Sequence, residues 1–287
     1  MPNSYFSLLI DKVHILRISS AVHTRQSLLN DLARAALLPN DTVIVHSSYK
    51  KIGTVSGGPE TVIDALWDYF TKDGLLVFPT LTYTLFHDYD PQSETCKACL
   101  NSHPPGHCLA QIWKDRTPEF HANTTPACIG LLPNLFLKRQ GVFRSLNPSH
   151  SVAAAGPDAK DFVSGHQFSP TPCGNNTPWR KLLRRGAKIL HLGSPINSTT
   201  FMHACAEWLH PDIPTPLIPR QVHVFDHTER QIQTAIQHIT AGSTECLQAM
   251  IPDLTRLGTL KHFQFGSAAC LQLDCCQLWN FYSKHYK

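Results

Sequence analysis

Charge is scarce in this sequence. Asp, Glu, Lys and Arg make up 16% of its 287 residues, and 25 basic against 21 acidic residues leave a net charge of +4. An excess so small and so scattered excludes the basic footprint of a nucleic-acid-binding or membrane-surface protein. Disorder is excluded too, because 42% of the residues are hydrophobic and 9% aromatic, enough to build a core. No apolar run approaches the roughly 18 residues of a membrane span; the nearest are Thr42 to Val45 and Gly74 to Phe78. The opening segment MPNSYFSLLIDKVHILRISS lacks a basic start, and Asp11, Lys12, His14 and Arg17 break its apolar run, so it does not read as a signal peptide. Neither a Walker loop nor GxGxxG occurs where a strand enters a helix, and internal repeats and low-complexity linkers are also missing. The expectation is a soluble, cytoplasmic protein with reduced thiols and one continuous domain.

What the chain does have is 17 His, 10 Cys and 21 Pro. The even cysteine count does not make a disulfide framework, which belongs to small secreted domains. Residues 1–23 read as an N-terminal extension, since organised patterning starts at Thr24. From there Leu28, Leu29, Leu32, Ala35 and Ala36 give an N-capped amphipathic helix, followed by the β-branched run TVIVHSS. Pro59 opens a second helix with the stripe Val62, Ile63, Leu66, Trp67 and Phe70, and LLVFPT follows as a second strand. Strand, helix, strand in that order predicts an α/β domain over 24–287, with a central largely parallel or mixed sheet flanked by helices. An irregular, Cys-rich insertion occupies about 84–120. Beyond it the pattern predicts helices over Ala127 to Arg139, after Pro178, after Asn197, near Arg230 to Ile239 and at the C-terminus. Strands are expected at Ser151 to Ala155, AKILHLG and Gln221 to Phe225.

Four segments carry candidate chemistry. In VHSSYKKIGTVSGGPET a strand ends in His46, Ser47 and Ser48, and Gly57 and Gly58 lead into the Pro59 helix. Hydroxyls, amides and a helix start thus meet at the carboxyl edge of the sheet, where open α/β folds bind ligands; a plain strand-to-helix turn explains the glycines equally well. In RSLNPSHSVAAAG a turn presents Ser149, His150 and Ser151 ahead of a small-residue strand, a pattern also met around structural histidines. In GSPINSTTFMHACAEWL, His203 and Glu207 lie four apart on one helical face, where a carboxylate can orient an imidazole general base; an exposed helix pair is the plainer alternative. In CKACLNSHPPGHC, Cys96, Cys99, His103, His107 and Cys108 have zinc-ligand types in a tight loop, although one CxxC matches no standard finger.

The first three segments, together with NTTPACIGLLPNLF, occur in an order that resembles the aminoglycoside 3-N-acetyltransferase family. The resemblance implies an antibiotic N-acetyltransferase-like α/β fold and acetyl-CoA as cosubstrate, used to acylate an amine of an amino sugar by direct transfer. It also implies that His46, Ser47, Ser48, Gly57, Gly58, Ser149, His150, Ser151 and Thr199 shape the coenzyme site, with His203 as catalytic base and Glu207 as its acidic partner. Oxyanion donors would come from hydroxyls and amides near Ser48 or Thr199. Two positions depart from the family pattern: Ala206 stands where His-x-x-Glu has its acid, and Asn147 stands where a histidine usually precedes Pro148. No metal is required for this chemistry, and structural zinc would concern only the insertion. The expected partner is a small-molecule amine, with a homodimer left open. The alternatives are a cell-surface amino sugar or other small amine as acceptor, or a non-catalytic, zinc-stabilised binding protein on the same scaffold. A polycationic acceptor calls for carboxylates, which the middle of the chain offers as Asp88, Asp90, Glu94, Asp115 and Glu119.

Overall fold

A computed structural model describes residues 22–94, 96–97, 108–211, 221–235 and 246–286. A mixed seven-stranded sheet runs in the order β4-β5-β2-β1-β6-β10-β9. Its parallel centre is β2 (Leu75–Pro79), β1 (Thr42–Ser47) and β6 (Lys188–Leu192). β5 (Val152–Ala155) and β4 (Phe143–Arg144) extend it antiparallel on one side, and β10 (Ala268–Asp274) and β9 (Lys261–Phe265) do so on the other. A second sheet joins β3 (Glu119–His121), β7 (His223–Phe225) and β8 (Gln231–Ile232). The expected α/β class, mixed sheet and flanking helices are observed.

Strand alternation divides the core in two. Val43, Val45, Leu76, Phe78, Leu190 and Leu192 pack on one face with the helices Arg25–Arg34 and Pro59–Phe70. Ile44, Val77, Ile189 and Leu273 pack on the other with the helices Pro178–Arg184, Phe201–Leu209 and Cys275–His285. A sheet buried on both faces needs near-continuous apolar strands, and LLVFP is buried at every position.

Several expectations are corrected. His23, assigned to the extension, already belongs to the fold: its amide donates to Thr54 O at 2.8 Å, its carbonyl accepts from Ser56 N at 2.8 Å, and its ring meets Ser267 Oγ at 2.8 Å. The helix expected over Ala127 to Arg139 starts only at Leu131, because the Asn134 side chain donates to Ala127 O and Gly130 O and so closes a turn first. The helix expected near Arg230 to Ile239 is replaced at Gln231–Ile232 by β8; residues 236–239 lie outside the described residues. Asp226 makes the difference. Its Oδ1 accepts from Thr228 N, Thr228 Oγ1 and Arg230 N, and Glu229 takes a positive φ of 58°, so the chain turns into a hairpin against β7. The insertion is not wholly irregular either, since β3 pairs parallel with β7 near its end.

Candidate active site

The carboxyl ends of β1, β2 and β6 meet at one mouth of the sheet. His46 and His191 are facing residues in the β1–β6 ladder, so their side chains leave the sheet on the same face, one strand spacing apart. Their rings stack at 5.0 Å with an interplanar angle of 13°. His191 is locked from both nitrogens: Thr199 Oγ1 lies 2.8 Å from Nε2 and Ser194 Oγ 3.0 Å from Nδ1. Thr199 spends its single proton on Ile196 O at 2.6 Å, so it accepts from His191 Nε2–H, and Nδ1 is left to accept from Ser194. Burial holds the His191 pKa down to about 4. Burial, reinforced by His191, takes His46 well below the ordinary histidine range.

The turn before β5 is built on Asn147. Its Oδ1 accepts from Ser149 N at 3.0 Å, Ser149 Oγ at 3.0 Å and His150 N at 2.8 Å. Ser149 Oγ has thereby given up its proton and accepts from His150 Nδ1 at 2.9 Å. The His150 carbonyl accepts from Nε1 of the fully buried Trp179 at 3.1 Å. His150 thus stands edge-on to His203, with ring centroids 5.8 Å apart at 85°. Its pKa falls to about 3 through burial, with His203 and His166 adding to the effect. Ser151 lies apart from this contact: Oγ donates to Thr80 O at 2.7 Å and accepts from Arg144 Nε at 3.0 Å. Arg144 is 1% exposed; its guanidinium also donates to Thr80 O at 2.7 Å and to Thr125 O, and lies 4.7 Å over the Phe120 ring. Burial lowers its pKa to about 9.

The helix Phe201–Leu209 follows a 3-10 turn at Ile196–Ser198. It brings His203 to a cavity of about 350 Å3 whose walls include His46, Ser47, Ser48, Tyr83, Thr200 and Ser198. Glu207, one turn on, is 8% exposed. Its carboxylate accepts from Thr171 Oγ1 and, at 3.1 Å, from Cys173 N. Burial raises its pKa against the pull of those two hydrogen bonds.

The structure therefore brings His46, Ser47, Ser48 and His203 to one cavity, with His150 in ring contact behind His203. Gly57 and Gly58 are not in its walls. They take φ of 78° and 72° at the entry to the Pro59 helix, where a Cβ on Gly57 would lie 2.4 Å from Thr61 Oγ1. Ser149, Ser151 and Thr199 are buried within the hydrogen-bond networks just described rather than in the cavity wall. Sequence reasoning missed His191 and Arg144. The signal for His191 was available, since AKILHLG places its histidine near the strand end as TVIVHSS does.

Several carboxylates of the insertion make local contacts near the surface. Asp90 Oδ1 accepts from Gln92 N at 2.9 Å, Glu94 pairs with Lys97 at 3.1 Å and Asp115 with Lys114 at 3.7 Å. Glu119 and Glu229 flank His121 at 3.2 and 2.7 Å; burial pulls the His121 pKa down, but the two carboxylates outweigh it and raise it. Of the proposed zinc ligands, Cys96 and Cys108 are buried free thiols, while Cys99, His103 and His107 lie outside the described residues. Among the described residues no group of three or more His, Cys, Asp or Glu side chains is placed to hold a metal ion, and no helix is long and apolar enough to cross a membrane.

A family model described as aminoglycoside 3-N-acetyltransferase matches residues 44–287. The chain belongs to that family. An aminoglycoside N(3)-acetyltransferase III from Salmonella sp is 31% identical over 275 residues, covering 91% of this chain and 90% of the relative. An aminoglycoside N(3)-acetyltransferase VII from Streptomyces paromomycinus is 31% identical over 202 residues; that match covers 68% of this chain and spans only 64% of the relative's length. Among solved structures, the YokD protein from Bacillus subtilis superposes with a TM-score of 0.71 at 26% identity, covering 92% of this chain and 93% of the other. A structure described as AAC-IIIb binary with CoASH shares the fold with a TM-score of 0.67 at 23% identity, over 92% of this chain and 96% of the other. In this chain Ala206, before Glu207, is buried, and Asn147 is the hub of the His150 turn.

Proposed function

We propose that this chain is an acetyl-CoA-dependent N-acetyltransferase that acylates an amino group of an aminoglycoside-like amino sugar by direct transfer, with His203 as general base. The observation that carries the reading is the shared cavity of His203 and the Ser47–Ser48 strand end, at the carboxyl edge of the sheet in a chain of this family. The related AAC-IIIb structure holds coenzyme A, and an AAC-VIa structure is bound to sisomicin. A cavity of about 350 Å3 with mixed walls, polar at Ser47, Ser48 and Thr200 and apolar at Leu81, Ile129 and Pro133, suits an acylated pantetheine arm.

The cosubstrate supplies the acetyl thioester. The acceptor reacts as the neutral amine, its ammonium proton having gone to solvent, and as the nitrogen bonds to the thioester carbonyl carbon His203 takes the proton that nitrogen must lose. His203 then returns the proton to the departing sulfur, so no cysteine nucleophile is needed. Glu207 serves this base indirectly: by fastening the helix to Thr171 and Cys173 it fixes where His203 stands. A second reading is a less charged acceptor such as a cell-surface amino sugar, favoured because the described residues that line the cavity with His203 include no Asp or Glu. A screen of aminoglycosides, simple amino sugars and small amines, followed by thiol release from acetyl-CoA, tests both. Turnover with aminoglycosides supports the first, turnover confined to the other amines supports the second, and no turnover with any amine overturns both.

A further inference from the structure

Transfer of an acetyl group places negative charge on its carbonyl oxygen, and that charge needs a fixed hydrogen-bond donor. The groups expected to provide one are largely spent. Ser48 N donates to Leu192 O at 3.0 Å, Thr199 N to Ile196 O at 3.1 Å and Thr199 Oγ1 to Ile196 O at 2.6 Å. His46 is different. It is 5% exposed, lines the same cavity as His203, and its Nε2 is buried with no hydrogen-bond partner. A buried nitrogen left unpaired costs about 1–3 kcal/mol, and the ring that carries it belongs to the wall of the cavity.

We propose that His46 is a second catalytic residue, whose ring N–H donates to the acetyl carbonyl oxygen as the amine attacks; the inference rests on the acetyl-transfer reading above. Three features fit the role. The ring is held by its stack on His191, which Ser194 and Thr199 lock in turn, so the donor is preorganised. Its lowered pKa keeps it a neutral imidazole at pH 7, able to donate without surrendering a full proton. By contrast, the Ser47 and Ser48 hydroxyls rotate freely about their own bonds and must be ordered at the moment of reaction. In the step itself, the amine nitrogen bonds to the carbonyl carbon and the C=O π pair moves to the oxygen held by His46. His203 takes the amine proton. The oxygen pair then reforms C=O, the C–S bond breaks, and the sulfur receives the proton from His203, leaving an acetamide and a free thiol.

The test uses the full chain with acetyl-CoA carrying a 13C-labelled carbonyl, followed by isotope-edited infrared spectroscopy without acceptor. His46→Phe keeps a ring against His191 but has no N–H; His46→Gln keeps a donor. Bound to wild type, the labelled carbonyl should shift to lower wavenumber. His46→Phe should still bind the coenzyme by calorimetry yet lose the shift, and its kcat should fall about 10²- to 10³-fold; His46→Gln should recover part of both. Equal shifts in wild type and His46→Phe, or loss of the shift in Ser48→Ala with His46→Phe unaffected, would overturn the proposal while leaving the transferase reading standing. Failure of wild type to bind acetyl-CoA would instead overturn the transferase reading, and this inference with it.

Discussion

His46 and His191 face each other across the parallel pair β1–β6, and their rings stack 5.0 Å apart, close to the distance between neighbouring strands. Register alone therefore makes a buried imidazole pair at the site's floor. Two adjacent buried rings cannot readily carry protons, which ties the stability of this region to pH.

Acid should unfold the protein early. His150 has a pKa of about 3, and His166 and His191 of about 4, against 6.5 for an ordinary histidine; burial is the leading cause for each, and His46 moves in the same direction. The unfolded chain takes up these protons as pH falls through about 6.5, while the folded chain does not until near the lowered values. Stability is thus fully present above that range and lost towards pH 4, each histidine contributing up to about 1.4 kcal/mol per pH unit. Glu207, with a raised pKa, acts in the opposite sense but is a single group. Urea midpoints measured from pH 7.5 to 5 should fall steadily; a flat profile would contradict the neutral, buried state of these rings.

Arg144→Met should cost about 2 kcal/mol in urea unfolding, because Thr125 O and Ser151 Oγ lose their guanidinium donor inside the protein. The methionine stem fills much of the same space, so the loss reports on hydrogen bonds rather than on a cavity. A change below about 0.5 kcal/mol, the range of ordinary surface substitutions, would show that the clamp is dispensable.

Gly193→Ala tests the corner after β6. Gly193 has φ of +72°, and a Cβ there would lie 2.6 Å from Lys51 Cβ and 3.2 Å from Ala268 Cβ. Strain of about 1–3 kcal/mol should appear as a lowered Tm. An unchanged Tm would mean that the corner relaxes freely.

What the sequence made legible, and what it hid, divides by distance along the chain. TVIVHSS, LLVFPT, AKILHLG and the Pro59 helix could be read because each has its own apolar pattern and stop signal. β8 could not, because Asp226 turns the chain through three local hydrogen bonds that periodicity does not register. In the site, His46 and His203 were legible from ordered motifs, whereas the fate of Glu207 depends on Thr171 and Cys173, 36 and 34 residues away. Helical spacing put Glu207 one turn beyond His203, but the loop captured its carboxylate. Arg144 was illegible for the same reason, since it binds carbonyls 64 and 19 residues distant.

The central claim is that the cavity at the carboxyl edge of the sheet transfers acetyl groups with His203 as base. Its most direct test is thiol release from acetyl-CoA with an accepted amine, comparing wild type with His203→Ala, alongside calorimetry of coenzyme binding. The predicted result is a loss of about 10²- to 10⁴-fold in kcat with coenzyme affinity retained. An unchanged kcat in His203→Ala would contradict the claim.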